Sequence, residues 1–195
     1  MTTYVAFLAG INVGGRRVTM DRLRVSFEEL GYDDVSTFIA SGNVIFKGSG
    51  AAKAMEQKIT KHMERELGFS VNVFVRSASA LRTAVESTPF TRPKSGETVA
   101  VGFMATAPSA AARKATEALS TKQDRFVVIG KELHWHARGG LGQTSVSGNA
   151  ITKAVGQPFT VRNIKSLRKL VATLQGAAAL QARRRAKARS STAPG

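Results

Sequence analysis

Residues 3–47 read TYVAFLAGINVGGRRVTMDRLRVSFEELGYDDVSTFIASGNVIFK, and their patterning decides the fold. Residues 3–8 carry Tyr4, Val5 and Phe7, side chains that favour an extended backbone. A loop follows from Gly10 to Arg17. Thr19 can cap a helix in which Met20, Leu23, Phe27 and Leu30 recur at steps of three and four, and Gly31 ends it. Residues 35–40 and 43–47 then read as two strands joined across Ser41 and Gly42, a short polar connection suited to a tight hairpin. Working outward, residues 51–67 place Met55, Ile59, Met63 and Leu67 on one helical face, with Gly68 as the stop. Val71, Val73 and Val75 alternate in a fourth strand over residues 71–76. The order β-α-β-β-α-β defines a ferredoxin-like unit, with both helices on one face of a four-stranded antiparallel sheet.

The rest of the chain echoes this unit in weaker form. Residues 77–86 read as a short capped helix, and residues 87–96, with Pro89 and Pro93, as a linker and domain boundary. A strand over 98–106, a helix over 109–119, strands over 125–130 and 132–137 and a short helix over 149–155 follow, with a Gly- and Ser-rich loop at 138–148. Residues 159–161 add a brief edge strand. A last helix buries Val161, Ile164, Leu167, Leu170, Val171 and Leu174. The expected class is therefore α+β, two α/β sandwiches of which the second is a degenerate copy. The expected organisation is a first unit over 1–76, a helix and linker over 77–96, a second unit over 97–175 and a basic, disordered tail over 176–195.

Composition narrows the function. The chain has no apolar run long enough to span a membrane and no secretory pattern at its start, so a soluble, cytoplasmic protein without membrane association is expected. It has no cysteine, which excludes disulfides, thiolate nucleophiles, Fe–S clusters and cysteine-ligated zinc. No cofactor and no metal are expected. Of 195 residues, 29 are Lys or Arg and 13 are Asp or Glu, a formal charge of +16. Glu132 is the last acid, so residues 133–195 carry eleven bases and no carboxylate side chain. A polyanion is one natural partner; a solvated basic surface gives the same count.

Three constellations carry candidate chemistry. The loop holding Gly10, Asn12, Gly14, Gly15, Arg16 and Arg17 joins a strand to a helix, where backbone N–H groups and the helix terminus can hold an anion. The same glycines serve equally to turn the chain. It is not a P-loop, because Arg16 and Arg17 stand where a lysine and a hydroxyl are required. His134 and His136 fall on one face of a strand, but with only His62 elsewhere they make a poor metal site. Arg162, Lys165, Arg168 and Lys169 recur along the last helix with Asn163 near its start, a stripe that can neutralise phosphates or simply face solvent. Arg183, Arg184, Arg185, Lys187 and Arg189 would bind nucleic acid without sequence preference and with strong salt dependence. Phe7, Phe38 and Phe46 invite comparison with RNA-recognition sheets, but the Ser41 to Phe46 stretch does not match their motif.

Tyr4 to Gly15, with Met20 and Leu23, and Thr37-Phe38-Ile39-Ala40-Ser41-Gly42-Asn43-Val44-Ile45-Phe46 closely resemble the bacterial family called domain of unknown function 1697. Gly140-Leu141-Gly142 and Thr160-Val161-Arg162-Asn163 are similar to that family's GIG and TxRN stretches, so the resemblance reaches from residue 3 to about residue 174. It implies no activity, cofactor or catalytic residue. The chain departs from the family pattern at Ala9, at residues 143–145 and at Ile164. Two functions stay open. One is a noncatalytic protein binding nucleic acid or a phosphorylated metabolite through the Gly10 to Arg17 loop, Asn43, Arg162 and Asn163. The other is an enzyme acting on a small phosphorylated or acidic substrate between the units. Both require that loop and Arg162 to converge.

Overall fold

The computed structural model describes residues 1–12, 14–15, 17–39 and 42–191. The first unit consists of β1 (Thr2–Ala9), α1 (Met20–Glu29), β2 (Asp33–Thr37), β3 (Asn43–Gly48), α2 (Ala52–Leu67) and β4 (Asn72–Ser77). Its antiparallel sheet has the order β2-β3-β1-β4. After α3 (Ala78–Glu86) the second unit repeats the series as β5 (Thr98–Met104), α4 (Ala110–Glu117), β6 (Asp124–Ile129), β7 (Glu132–Ala137), α5 (Gly148–Val155) and β8 (Phe159–Asn163), in the order β6-β7-β5-β8. The last helix, α6 (Ile164–Ser191), follows β8 as α3 follows β4. Among the described residues no helix is long and apolar enough to cross a membrane.

Local chemistry sets these boundaries. Thr19 accepts the Arg22 N–H at the start of α1, and Ser77, Ser109 and Ser147 do the same for α3, α4 and α5. Gly68 takes the left-handed conformation that ends α2. The β2–β3 connection is longer than the tight hairpin expected. The ladder stops at Thr37 and Val44, the Phe38 N–H donates to the Asn43 carbonyl, and Ile39 turns outward with positive φ.

Two further boundaries differ from the sequence expectation. Val161 and Arg162 are not on the last helix: β8 runs to Asn163 and pairs with β5 from Ala100↔Asn163 to Met104↔Phe159. The second copy thus has all six elements. A Val at 161 fits the three- and four-residue steps of the helix behind it as well as it fits an alternating strand, and pairing with β5 decides between them. The last helix also continues past Gly176, and residues 176–191 are helical where an irregular tail was expected.

Three apolar clusters hold the layers. Tyr4, Ala6 and Leu8 of β1 face α1 and α2, while Val5 and Phe7 point the other way. Met104, Phe126, Leu133 and Trp135 bury the outer face of the second sheet against α5. Between the sheets, Val5, Phe7 and Phe74 meet Val99, Val101 and Phe103, with Leu81 of α3 and Ile164, Leu167, Leu170, Val171 and Leu174 of α6 closing the layer. Phe7 and Phe103 stack at 4.2 Å and 5° there. Such a pair adds roughly 0.5–1.5 kcal/mol beyond its burial. This layer covers the face on which an RNA-recognition sheet stacks bases.

Two strands at the sheet rims are sealed by side chains rather than by other strands. At β4, Glu56 accepts the Val75 N–H at 2.8 Å, and just ahead of the strand Glu64 accepts the Val71 N–H at 3.4 Å. Along β6, Glu117 accepts from Val128 and Ser120 from Phe126, each at 3.0 Å.

Candidate functional site

The two central strands impose the same register on both units. In the first, Val5 of β1 lies opposite Arg76 of β4, and Phe7 opposite Asn43 of β3. In the second, Val101 of β5 lies opposite Arg162 of β8, and Phe103 opposite Glu132 of β7. Arg76 and Arg162 are therefore equivalent positions, each placed by the last strand of its unit directly before a helix.

Each arginine reaches into the other unit. Arg76 donates from Nε to Glu132 Oε1 at 2.8 Å, from Nη2 to the Met104 carbonyl at 2.6 Å and from Nη1 to its neighbour's carbonyl, Val75, at 2.9 Å. Arg162 donates from Nε to Asn43 Oδ1 at 2.7 Å, from Nη2 to the Leu8 carbonyl at 2.8 Å and from Nη1 to the Val161 carbonyl at 2.9 Å. A further Nη1 contact goes to Thr160 Oγ1 at 2.7 Å. Each guanidinium also lies near the opposite unit's stacked ring, Arg76 by Phe103 at 5.5 Å and Arg162 by Phe7 at 5.7 Å. Two interchanged clamps thus clasp the halves around the Phe7–Phe103 pair.

The clamps differ in charge. Arg76 is ion-paired with Glu132 and lies 3.6 Å from Glu56, whose carboxyl is raised by burial against the lowering effects of the Val75 N–H and Arg76. At Arg162 the equivalent of Glu132 is the neutral Asn43. Among the described residues no carboxylate pairs with Arg162, and burial pushes its pKa down to about 10. The site thus carries a cation satisfied by neutral acceptors, with its charge uncancelled.

The remaining candidates fall around this point unequally. Gly10 lies two residues beyond the Leu8 carbonyl that Arg162 holds, with Ser70 of the β4 approach beside it. Asn12 closes the loop on itself, its Oδ1 accepting the Val18 N–H at 3.0 Å. Gly14 and Gly15 have positive φ and, with Arg17, are exposed. Arg16 lies outside the described residues. Asn43 also donates from Nδ2 to the Phe38 carbonyl, tying the hairpin. Asn163 accepts the Lys165 N–H at 2.8 Å and so starts α6. Lys165, Arg168 and Lys169 are exposed on α6, a basic face without Arg162, which belongs to the strand. Arg183 is exposed; the side chains of Arg184, Arg185, Lys187 and Arg189 lie outside what is described.

His134 and His136 share a face, as period two requires, but do different things. His134 is fully buried between Val101 and Val127, neither ring nitrogen has a hydrogen-bond partner among the described residues, and burial lowers its pKa. His136 meets Glu97 at 3.2 Å. Among the described residues no three His, Cys, Asp or Glu side chains gather to hold a metal ion. Sequence reasoning missed Arg76 and Glu132. The available signal was Val75-Arg76-Ser77 and Val161-Arg162-Asn163, the same Val-Arg-polar step ahead of a helix in both halves.

Fold and site together define a duplicated ferredoxin-like α+β protein whose halves are clasped by exchanged arginines. The chain belongs to the DUF1697 family, described as "Protein of unknown function (DUF1697)", which matches residues 1–134. The structure of the conserved bacterial protein SP0830 from Streptococcus pneumoniae is similar at 23% identity, with a TM-score of 0.67 over 90% of this chain and 99% of that one, a likeness of fold. None of the curated proteins matches the chain.

Proposed function

We propose that the protein binds a phosphate-bearing anion, without catalysing a reaction, at the Arg162 clamp and the adjoining Gly10 to Arg17 loop. The observation that carries this reading is the asymmetry between two otherwise equivalent clamps: one arginine has a carboxylate, the other an amide. A desolvated cation without a counter-charge attracts an anion more strongly than a solvated lysine does. Exchange of the units also puts Lys169 of α6 where α3 carries Thr83, so the second half has a further cation at the equivalent helix position. Exposed amides at Gly14 and Gly15 supply uncharged donors of the kind that cradle phosphate. The ligand in this reading is a phosphorylated metabolite or the phosphate of a nucleic acid, with Asn43 and Asn163 ordering the cations rather than meeting the anion.

The test gives Arg162 the partner its counterpart already has. Asn43→Glu in the full chain should stay folded, because Glu132 occupies the same register at Arg76. Thermal-shift and calorimetric titration with phosphorylated metabolites, including mononucleotides, should find ligands for the parent protein, and Asn43→Glu should weaken them at least tenfold. A parent protein that no phosphorylated compound shifts, or a folded variant that binds as tightly as the parent, would defeat the reading.

A further inference from the structure

From Gln175 to Arg183 α6 buries nothing. Every residue from Gln175 to Arg183 is exposed, and the helix runs on to Ser191. At the helical rise this segment extends roughly 25 Å. It needs no apolar seam to stay helical: apart from Gly176 and its two terminal serines it consists of Ala, Arg, Lys, Gln and Leu, the best helix formers. It also continues an anchored helix, so the unfavourable nucleation step is already complete.

We infer that this segment is a preformed basic arm that docks in the major groove of duplex DNA. The occupant follows from charge, shape and the lack of an apolar face. Arg183, Arg184, Arg185, Lys187 and Arg189 fall within two turns with no carboxylate side chain anywhere after Glu132, so the arm carries no acid of its own. A helix with its side chains is roughly 10–12 Å across, which matches a B-form major groove of about 12 Å. The deep, narrow major groove of A-form RNA does not admit it. A membrane surface is a poor fit, because helices that lie in lipid headgroups need an apolar side, and Leu180 is the only large apolar residue beyond Leu174. Contacts made by these side chains to phosphates would carry affinity without sequence preference. The arm is separate from the Arg162 clamp, so either reading stands without the other.

Fluorescence anisotropy with the full chain tests it, using duplex DNA and duplex RNA of equal length and vesicles rich in an anionic lipid. Neutralising five phosphates gives a slope of about −4.5 in log affinity against log salt, an affinity loss of about 500-fold between 50 and 200 mM. The combined variant Arg183→Ala, Arg184→Ala, Arg185→Ala, Lys187→Ala and Arg189→Ala keeps helix propensity and should flatten that slope to near zero. Ala186→Pro keeps every charge but breaks the helix, and should weaken duplex DNA several-fold at an unchanged slope. Equal affinity for RNA, stronger capture by vesicles, or full DNA binding by either variant would overturn the proposal. Phosphorylated-metabolite binding should be the same in all three proteins.

Discussion

Glu132→Gln is the sharpest probe of the clasp between the halves. The substitution keeps an oxygen acceptor for Arg76 Nε, now at 2.8 Å, and removes only the charge. Arg76 is 3% exposed, so little solvent screens the loss. Two unit charges about 4 Å apart interact by roughly 4 kcal/mol at an effective dielectric near 20. Part of this is offset because the variant no longer has a carboxylate to desolvate, and Glu56 still faces the guanidinium at 3.6 Å. The expected loss is about 2 kcal/mol. The variant must still fold, since an amide against a buried arginine is what the Arg162 clamp already is. Urea unfolding at pH 7 reads the effect directly: with a slope near 2.5 kcal/mol per molar, the midpoint should fall by about 0.8 M with the slope unchanged. In an Arg76→Met background the same substitution should cost almost nothing. A shift below about 0.2 M in the parent, or an equal shift in both backgrounds, would refute the assignment of Glu132 as the counter-charge.

Gly42→Ala should destabilise the protein by about 2 kcal/mol in the same assay, since an added Cβ would come within 2.6 Å of the Ile11 side chain at a φ of +70°; an unchanged midpoint would show that the hairpin is free to shift. His134→Leu should raise stability and flatten its acid limb. Burial lowers the His134 pKa, so the native state keeps this ring neutral while the unfolded chain takes up a proton near pH 6.5. Its contribution is complete above that value and is lost as pH falls through the lowered native value. Melting curves from pH 7.5 to 5 should therefore converge less steeply for the variant, and parallel curves would contradict the burial argument.

What was legible in the sequence was whatever short-range chemistry fixes. The first unit follows from alternating valines in residues 71–76, a threonine cap at 19 and a glycine stop at 68, all signals that act within a few residues. The order of the second unit was readable for the same reason. β8 reads short in the sequence because Phe159-Thr160-Val161 is followed at once by a helix whose apolar spacing absorbs Val161. Of the candidate site, Arg162 and Asn43 stand out in the sequence, but their mutual bond does not, because Arg162 lies 119 residues from Asn43 and 154 from Leu8. No local pattern encodes such a contact. Arg76 and Glu132 stayed hidden because a lone arginine in a valine-rich strand looks like an exposed edge residue until the second sheet covers it.

The sealed rims have a cost that depends on acidity. Carboxylates are scarce in this chain, 13 of 195 residues, yet three of them are spent on holding strand amides away from strangers. The Val128 N–H is the first cause holding Glu117 below the ordinary carboxylate range, so that latch weakens once pH drops through its lowered value. Open strand margins are templates for fibrils. A protein this cationic is kept from stacking in acid mainly by self-repulsion, and added salt at low pH, which mutes that repulsion, is where its tendency to form amyloid-like deposits would first show in a thioflavin assay.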